Sequence, residues 1–134
     1  MKSRFIVVMA VLVVGFFYAN TIHAQSKDWV VPDKYKKMEN PVKADKESIA
    51  RGKSLWSLHC KSCHGKDGLG DGPKAANLDT PAGDFTTAAF QKQTDGALFY
   101  KSWIGKGDMP NYEKKIPEKE DVWHLVNFIR SLDD

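Results

Sequence analysis

Cys60-Lys61-Ser62-Cys63-His64 holds both cysteines of the chain and sets a histidine directly after the second. Thiols three residues apart can serve several chemistries. A thioredoxin-like redox pair belongs at a strand-to-helix junction inside a βαβ pattern, and no segment here alternates as a strand does. Structural zinc takes four protein ligands, and a histidine adjacent to Cys63 is poorly placed to chelate the same ion. A disulfide would close a loop of four residues, and since its stabilisation grows with loop length it would add little.

The remaining use of C-x-x-C-H is covalent attachment of a haem. Two cysteines on the last turn of a helix project toward one side. Each thiol can then add to one vinyl group of a single porphyrin, and His64 can offer its imidazole to the iron. The sixth iron position, filled or open, separates an electron carrier from a ligand-binding or catalytic haem. Beyond the apolar N-terminus only two methionines remain, Met38 in a lysine-rich stretch and Met109 in "GKGDMPNY". Gly105, Gly107 and Pro110 put Met109 in a turn-rich loop rather than on a helical stripe. Its thioether is the expected ligand on the iron face away from His64. His59 precedes Cys60 and cannot reach across the ring plane, and His124 lies off the apolar stripe of its helix. Neither is expected to bind iron.

"DGLGDG" from Asp67 to Gly72 has a faint likeness to a calcium loop, but the closing glutamate position is Leu78, so calcium is not expected. Glycines suit backbone pressed against a flat ligand. Gly72-Pro73 is expected to present a carbonyl to the outer nitrogen of His64, as supporting groups around a metal ligand do.

These residues must be carried by helices. Ile49, Gly52, Leu55, Trp56 and Cys60 recur at helical intervals, which predicts a helix over 45–59. Residues 73–97 read as turns and short helical pieces, and 98–104 as a short apolar helix ended by Gly105. The last helix opens with Pro117 in its first turn and Glu118, Glu120 and Asp121 at the positive end of its dipole. Val122, Leu125, Val126, Ile129 and Leu132 then form one apolar stripe. The fold class is all-α, without internal repeats.

Ahead of the domain, residues 1–24 have the layout of a secretory signal: Lys2 and Arg4, an apolar run from Phe5 to Tyr18, then polar residues and Ala24. That run of 14 residues falls short of the roughly 20 needed to span a bilayer. The expected location is periplasmic or secreted after cleavage; the alternative is a membrane anchor left uncleaved. Residues 25–45, lysine-rich and broken by Pro32 and Pro41, read as an extended arm, with Trp29, Val30 and Val31 able to pin it to the domain. The domain itself is 46–134. Without 1–24 the chain has 18 basic and 17 acidic residues, against 20 and 17 in full. That balance excludes a nucleic-acid footprint, which needs a strongly basic face.

From about Ile49 to Leu132 the chain resembles the class I, single-haem cytochromes c of the small bacterial periplasmic kind. The resemblance rests on "GKSLWSLHCKSCHG", "GLGDGP", "DGALFYKSWIGKGDMP" and "DVWHLVNFIRSL". It implies a cytochrome c fold in which the first and last helices cross, Gly52 meeting Trp123 or Phe128. It implies one haem c joined to Cys60 and Cys63, His64 and Met109 as iron ligands, and Gly72-Pro73 as the pair behind the histidine. Ser102 and Trp103 stand where the family often has aliphatic or small polar residues, and Trp103 and Trp56 are candidates to approach the haem propionates. The implied function is electron transfer, not catalysis, by a monomer shuttling between redox protein donors and acceptors, a membrane oxidase or reductase among them. Lys61, Lys66, Lys106 and Lys114 are candidates to steer acidic partners. The alternatives are a haem enzyme or gas-binding sensor with an open sixth position, and a cytochrome c subunit of a larger oxidase or reductase.

Overall fold

The computed structural model describes residues 29–133. The expected secretory leader, and the start of the arm after it, lie outside the described residues. Helix α1 is Asp33–Lys36, α2 Lys46–His59, α3 Lys61–His64, α4 Ala88–Gln91, α5 Asp95–Ile104 and α6 Lys119–Arg130, with a 3-10 turn at Ala75–Asn77. The fold is all-α: the one β pairing among the described residues is an isolated bridge between Lys106 and Met109.

Helix α2 begins where Asp45 caps it, its carboxylate accepting from the Ser48 N–H at 2.9 Å. Such a cap is worth about 1 kcal/mol. Ser48, Gly52, Leu55 and Trp56 form its buried face. That face lies against α6, where Val122, Leu125, Val126 and Ile129 are almost wholly removed from water. The two helices cross at Gly52. A Cβ built there would stand 2.1 Å from the His124 carbonyl oxygen and 2.7 Å from Phe128 Cβ, so only glycine lets the backbones approach this closely. Phe128, not Trp123, therefore meets Gly52; the Trp123 ring lies 4.3 Å from Phe99 instead. Arg51 and Asp121 tie the helices at their exposed edge through two hydrogen bonds of 2.8 and 2.6 Å.

Helix α5 starts three residues ahead of the expected Leu98. Thr94 caps it by accepting from the Ala97 N–H, and Asp95 complements the first turn, which offsets the poor helix propensity of Gly96. Gly96 is needed for a different reason: the strap formed by residues 29–45 passes directly over it. A Cβ at Gly96 would collide with the Tyr35 carbonyl.

The strap departs from the expected extended arm. Residues 33–36 are helical, and the Tyr35 ring lies 4.6 Å from that of Tyr100. Val31 is buried, while Val30 beside it is exposed. Asn40 donates to Asn127 Oδ1 at 2.8 Å, and Asn127 donates to Val42 O at 3.1 Å and to Ser48 Oγ at 2.8 Å. Apolar burial and amide pairing with α6 thus fold back a segment whose local sequence has no helical periodicity.

Candidate cofactor site

The attachment motif is built where two helices meet. Cys60 ends α2, its N–H donating to Trp56 O, and opens α3, its carbonyl accepting from Cys63 N at 3.1 Å and His64 N at 3.0 Å. One turn therefore carries both thiols and the imidazole. Gly65, with φ of 83°, then turns the chain away. Both thiols are free; Cys60 is buried and Cys63 partly exposed. Burial pushes the Cys60 thiol up to about 12, with Cys63 adding to the shift.

His64 is held in one orientation. Its Nδ1–H donates to the Ala82 carbonyl at 3.1 Å, so the protonated nitrogen is assigned by that bond and Nε2 keeps its lone pair. Burial lowers the His64 pKa, partly opposed by the Ala82 bond, which keeps the imidazole neutral and able to ligate. Behind it stand Phe85 at 4.7 Å and Trp56 at 5.7 Å between ring centroids. Trp56 in turn donates from Nε1 to Gly65 O at 2.9 Å.

The expected carbonyl from Gly72-Pro73 is thus replaced by that of Ala82. Gly72 is committed elsewhere. Its N–H donates to Cys63 O at 3.2 Å, and a Cβ on it would fall 2.5 Å from Ser62 O. Gly70 N and Lys74 N likewise bond His64 O and Ser62 O. The glycine-rich loop therefore satisfies the carbonyls that end α3, and Pro73 is exposed. The chain must pass the 3-10 turn and Pro81 before a carbonyl comes within reach of Nδ1.

Met109 sits in a closed loop. Lys106 N donates to Met109 O at 2.9 Å and Met109 N to Lys106 O at 3.1 Å. Gly105 adopts φ of 72°, and a Cβ there would stand 2.2 Å from Pro110 O. Asp108 Oδ2 accepts from Asp79 N at 2.8 Å and Thr80 N at 3.3 Å, tying this loop to residues 79–80. Tyr112, buried, donates from its hydroxyl to His59 O at 2.7 Å. Burial, with Cys60 and Cys63 adding, pushes the Tyr112 phenol up to about 12.

Cys60, Cys63, His64 and Met109 all line one cavity of about 630 Å³, within the roughly 300–1,000 Å³ usual for ligand sites. Phe85, Phe90, Leu98 and Ile129 give it an apolar interior. Gly72, Pro73 and His124 are not on its lining; His59 is. His124 Nδ1 is instead 2.8 Å from Ser48 Oγ. Trp103 and Trp56 do not offer their indole N–H groups to the cavity, because Trp103 Nε1 donates to Ile116 O at 3.1 Å and Trp56 is engaged with Gly65. Ala82, Tyr112, Gln93 and Lys101 escaped the sequence reading, and no motif marks them. Trp29 also lines the cavity; in the sequence it stood out only as a pin for the arm.

Residues 49–133 match the family model for cytochrome c, well over half of the chain. The chain belongs to the cytochrome c family, whose business is haem-based electron transfer. Among solved structures it is similar to a chain of the Kuenenia stuttgartiensis reducing HAO-like protein complex Kustc0457/Kustc0458, at 25% identity and a TM-score of 0.64. The match covers 72% of this chain and 50% of that one, so this chain spans about half the length of its structural relative. No curated protein matches it. The site agrees with the family: the two cysteines, a histidine whose Nδ1 is engaged and a methionine line one largely apolar cavity, a donor set that fits a covalently held iron porphyrin.

Proposed function

We propose that this protein is a class I type electron carrier with one haem c, joined through Cys60 and Cys63 and ligated by His64 and Met109. When bound, the haem supplies a one-electron Fe(III)/Fe(II) couple. The chain's contribution is to tether, orient and shield. The thiols hold the group so that a small exported domain cannot lose it. Ala82 fixes the His64 ring, leaving Nε2 for the iron. The closed loop around Gly105 presents the Met109 sulfur, and a histidine–methionine pair raises the potential. The apolar lining excludes water and adds to that effect. Exposed Lys61, Lys66 and Lys114, with Lys106 at the cavity, steer acidic redox partners. Secretion to the periplasm after removal of 1–24 follows from the leader pattern.

The observation that carries this reading is the convergence of Cys60, Cys63, His64 and Met109 on one cavity. Replacing Met109 with alanine in the haem-loaded protein tests it. The expected product is folded, lacks the weak far-red band of sulfur–iron ligation, and binds cyanide or carbon monoxide readily. A variant as resistant to these ligands as the parent would refute Met109 as ligand. A second reading, a cytochrome subunit within a larger oxidoreductase, is favoured by the likeness to a chain from an HAO-like complex. Co-purification of the haem-loaded protein in a stoichiometric assembly would support it.

A further inference from the structure

The cavity rim carries a cation whose partners within the chain are an amide and an indole. Lys101, near the end of α5, is half-buried and lines the cavity. Its ammonium donates to Gln93 Oε1 at 2.5 Å and stands 5.7 Å from the centroid of the Trp29 ring. Lys101 takes no part in the ion pairs Lys36–Asp33, Arg51–Asp121 and Arg130–Asp95. Burial lowers its pKa, and the Lys106 cation lowers it further. Holding an ammonium partly out of water beside a second cation is costly without an anion. Of its three N–H donors, Gln93 takes one.

The surroundings hold this ammonium in place. Gln93 is itself anchored twice, its carbonyl accepting from Arg130 Nη2 at 2.5 Å and its Nε2 donating to Phe90 O at 3.1 Å. Those bonds aim Oε1 at Lys101. Arg130 is fixed in turn by Asp95 at 2.8 Å and Gln91 O at 2.6 Å. Trp56 and Trp103 are committed, each indole N–H bonding a backbone carbonyl, and Asp108, the acid of the lining, is held by Asp79 N and Thr80 N. A haem brings two carboxylates into an otherwise apolar cavity, and each needs donors.

We infer that Lys101, presented by Gln93 and shielded by Trp29, binds a carboxylate side chain of the porphyrin. This rests on the haem reading above and names the residue that receives the group's anionic edge. A neutralised carboxylate stabilises ferric iron less, so the pair holds the potential up.

The test uses the haem-loaded protein with Lys101→Met, Lys101→Arg and, as a control of equal charge change on an exposed residue off the lining, Lys114→Met. Lys101→Met is expected to lower the midpoint potential and shift the propionate bending modes in the resonance Raman spectrum. Lys101→Arg should restore both, and Lys114→Met should leave the modes unchanged. If Lys101→Met does not load haem, Gln93→Leu carries the test, with a smaller shift in the same direction expected. A potential and propionate modes that stay at parent values in Lys101→Met, or in Gln93→Leu where it stands in, overturn the assignment. A parent protein without covalent haem would instead overturn the cofactor reading, so the two failures are distinguishable.

Discussion

Two segments of the cavity lining are held in opposite ways. The backbone of Cys60 to His64 is secured by its own neighbourhood: the turn of α3, the glycine loop just after it, and Trp56 bonding Gly65 nine positions away, with only the His64 ring reaching farther, to Ala82. The Met109 loop, closed on itself by the Lys106–Met109 pair, is secured to the rest of the molecule across the chain. Asp108 bonds backbone 28 and 29 positions earlier, and Tyr112 reaches His59 across 53. The first segment can take shape once α2 and α3 form; the second needs the closed tertiary structure. Segments held by few long-range bonds open at lower free energy than packed helices. Under the proposed function, this division puts attachment on the rigid part and tuning on the adjustable one.

Substitutions can break that contrast, and the largest effect belongs to the local segment. Replacing Cys60 and Cys63 together with alanine is expected to abolish covalent haem; persistent haem staining after denaturing electrophoresis would contradict the attachment site. Next comes Gly52→Ala, which forces a methyl against the His124 carbonyl and Phe128. Overpacking of this kind costs about 1–3 kcal/mol. Denaturant unfolding should show that loss, while the optical bands of the surviving folded protein stay those of the parent.

Tyr112→Phe acts on the other segment. It deletes the bond to His59 O at a cost of about 1 kcal/mol. Cyanide should then bind the ferric protein faster than in the parent, and an unchanged rate would show that the Met109 loop does not depend on this bond. The smallest effect is that of Arg51→Gln, remote from both. Hydrogen bonding from Arg51 holds the Asp121 carboxyl below its ordinary 3.8. Its contribution is therefore present above pH 3.8 and fades as pH falls through the lowered value. At neutral pH the variant should lose at most about 1 kcal/mol, since the pair is substantially exposed. In stability measured against pH, that difference should close in acid.

The features legible in the sequence are those whose cause is local. The spacing of Cys60, Cys63 and His64, the turn residues around Met109 and the stripe of α6 each depend on neighbours a few positions away; Gly52, whose partners His124 and Phe128 are remote, was legible only through the family resemblance. Helical periodicity likewise placed α2 to within a residue, because Asp45 both caps it and precedes its apolar stripe. Helix α5 starts ahead of its apolar run for a local reason too: Thr94 capping outweighs the glycine at 96.

Tertiary structure alone decided the rest. Nothing in Gly72-Pro73 says that its backbone serves the carbonyls of α3 and leaves His64 to Ala82. The strap looked extended because its stabilising contacts, Tyr35 on Tyr100 and Asn40 on Asn127, join residues far apart in the chain. Lys101 reads as an ordinary helix lysine until Gln93, Arg130 and Trp29 close around it. The chemistry resides in residue types and short spacings, which sequence carries directly. The environment that orients and charges those residues comes from long-range packing and desolvation, which exist only once the chain has folded.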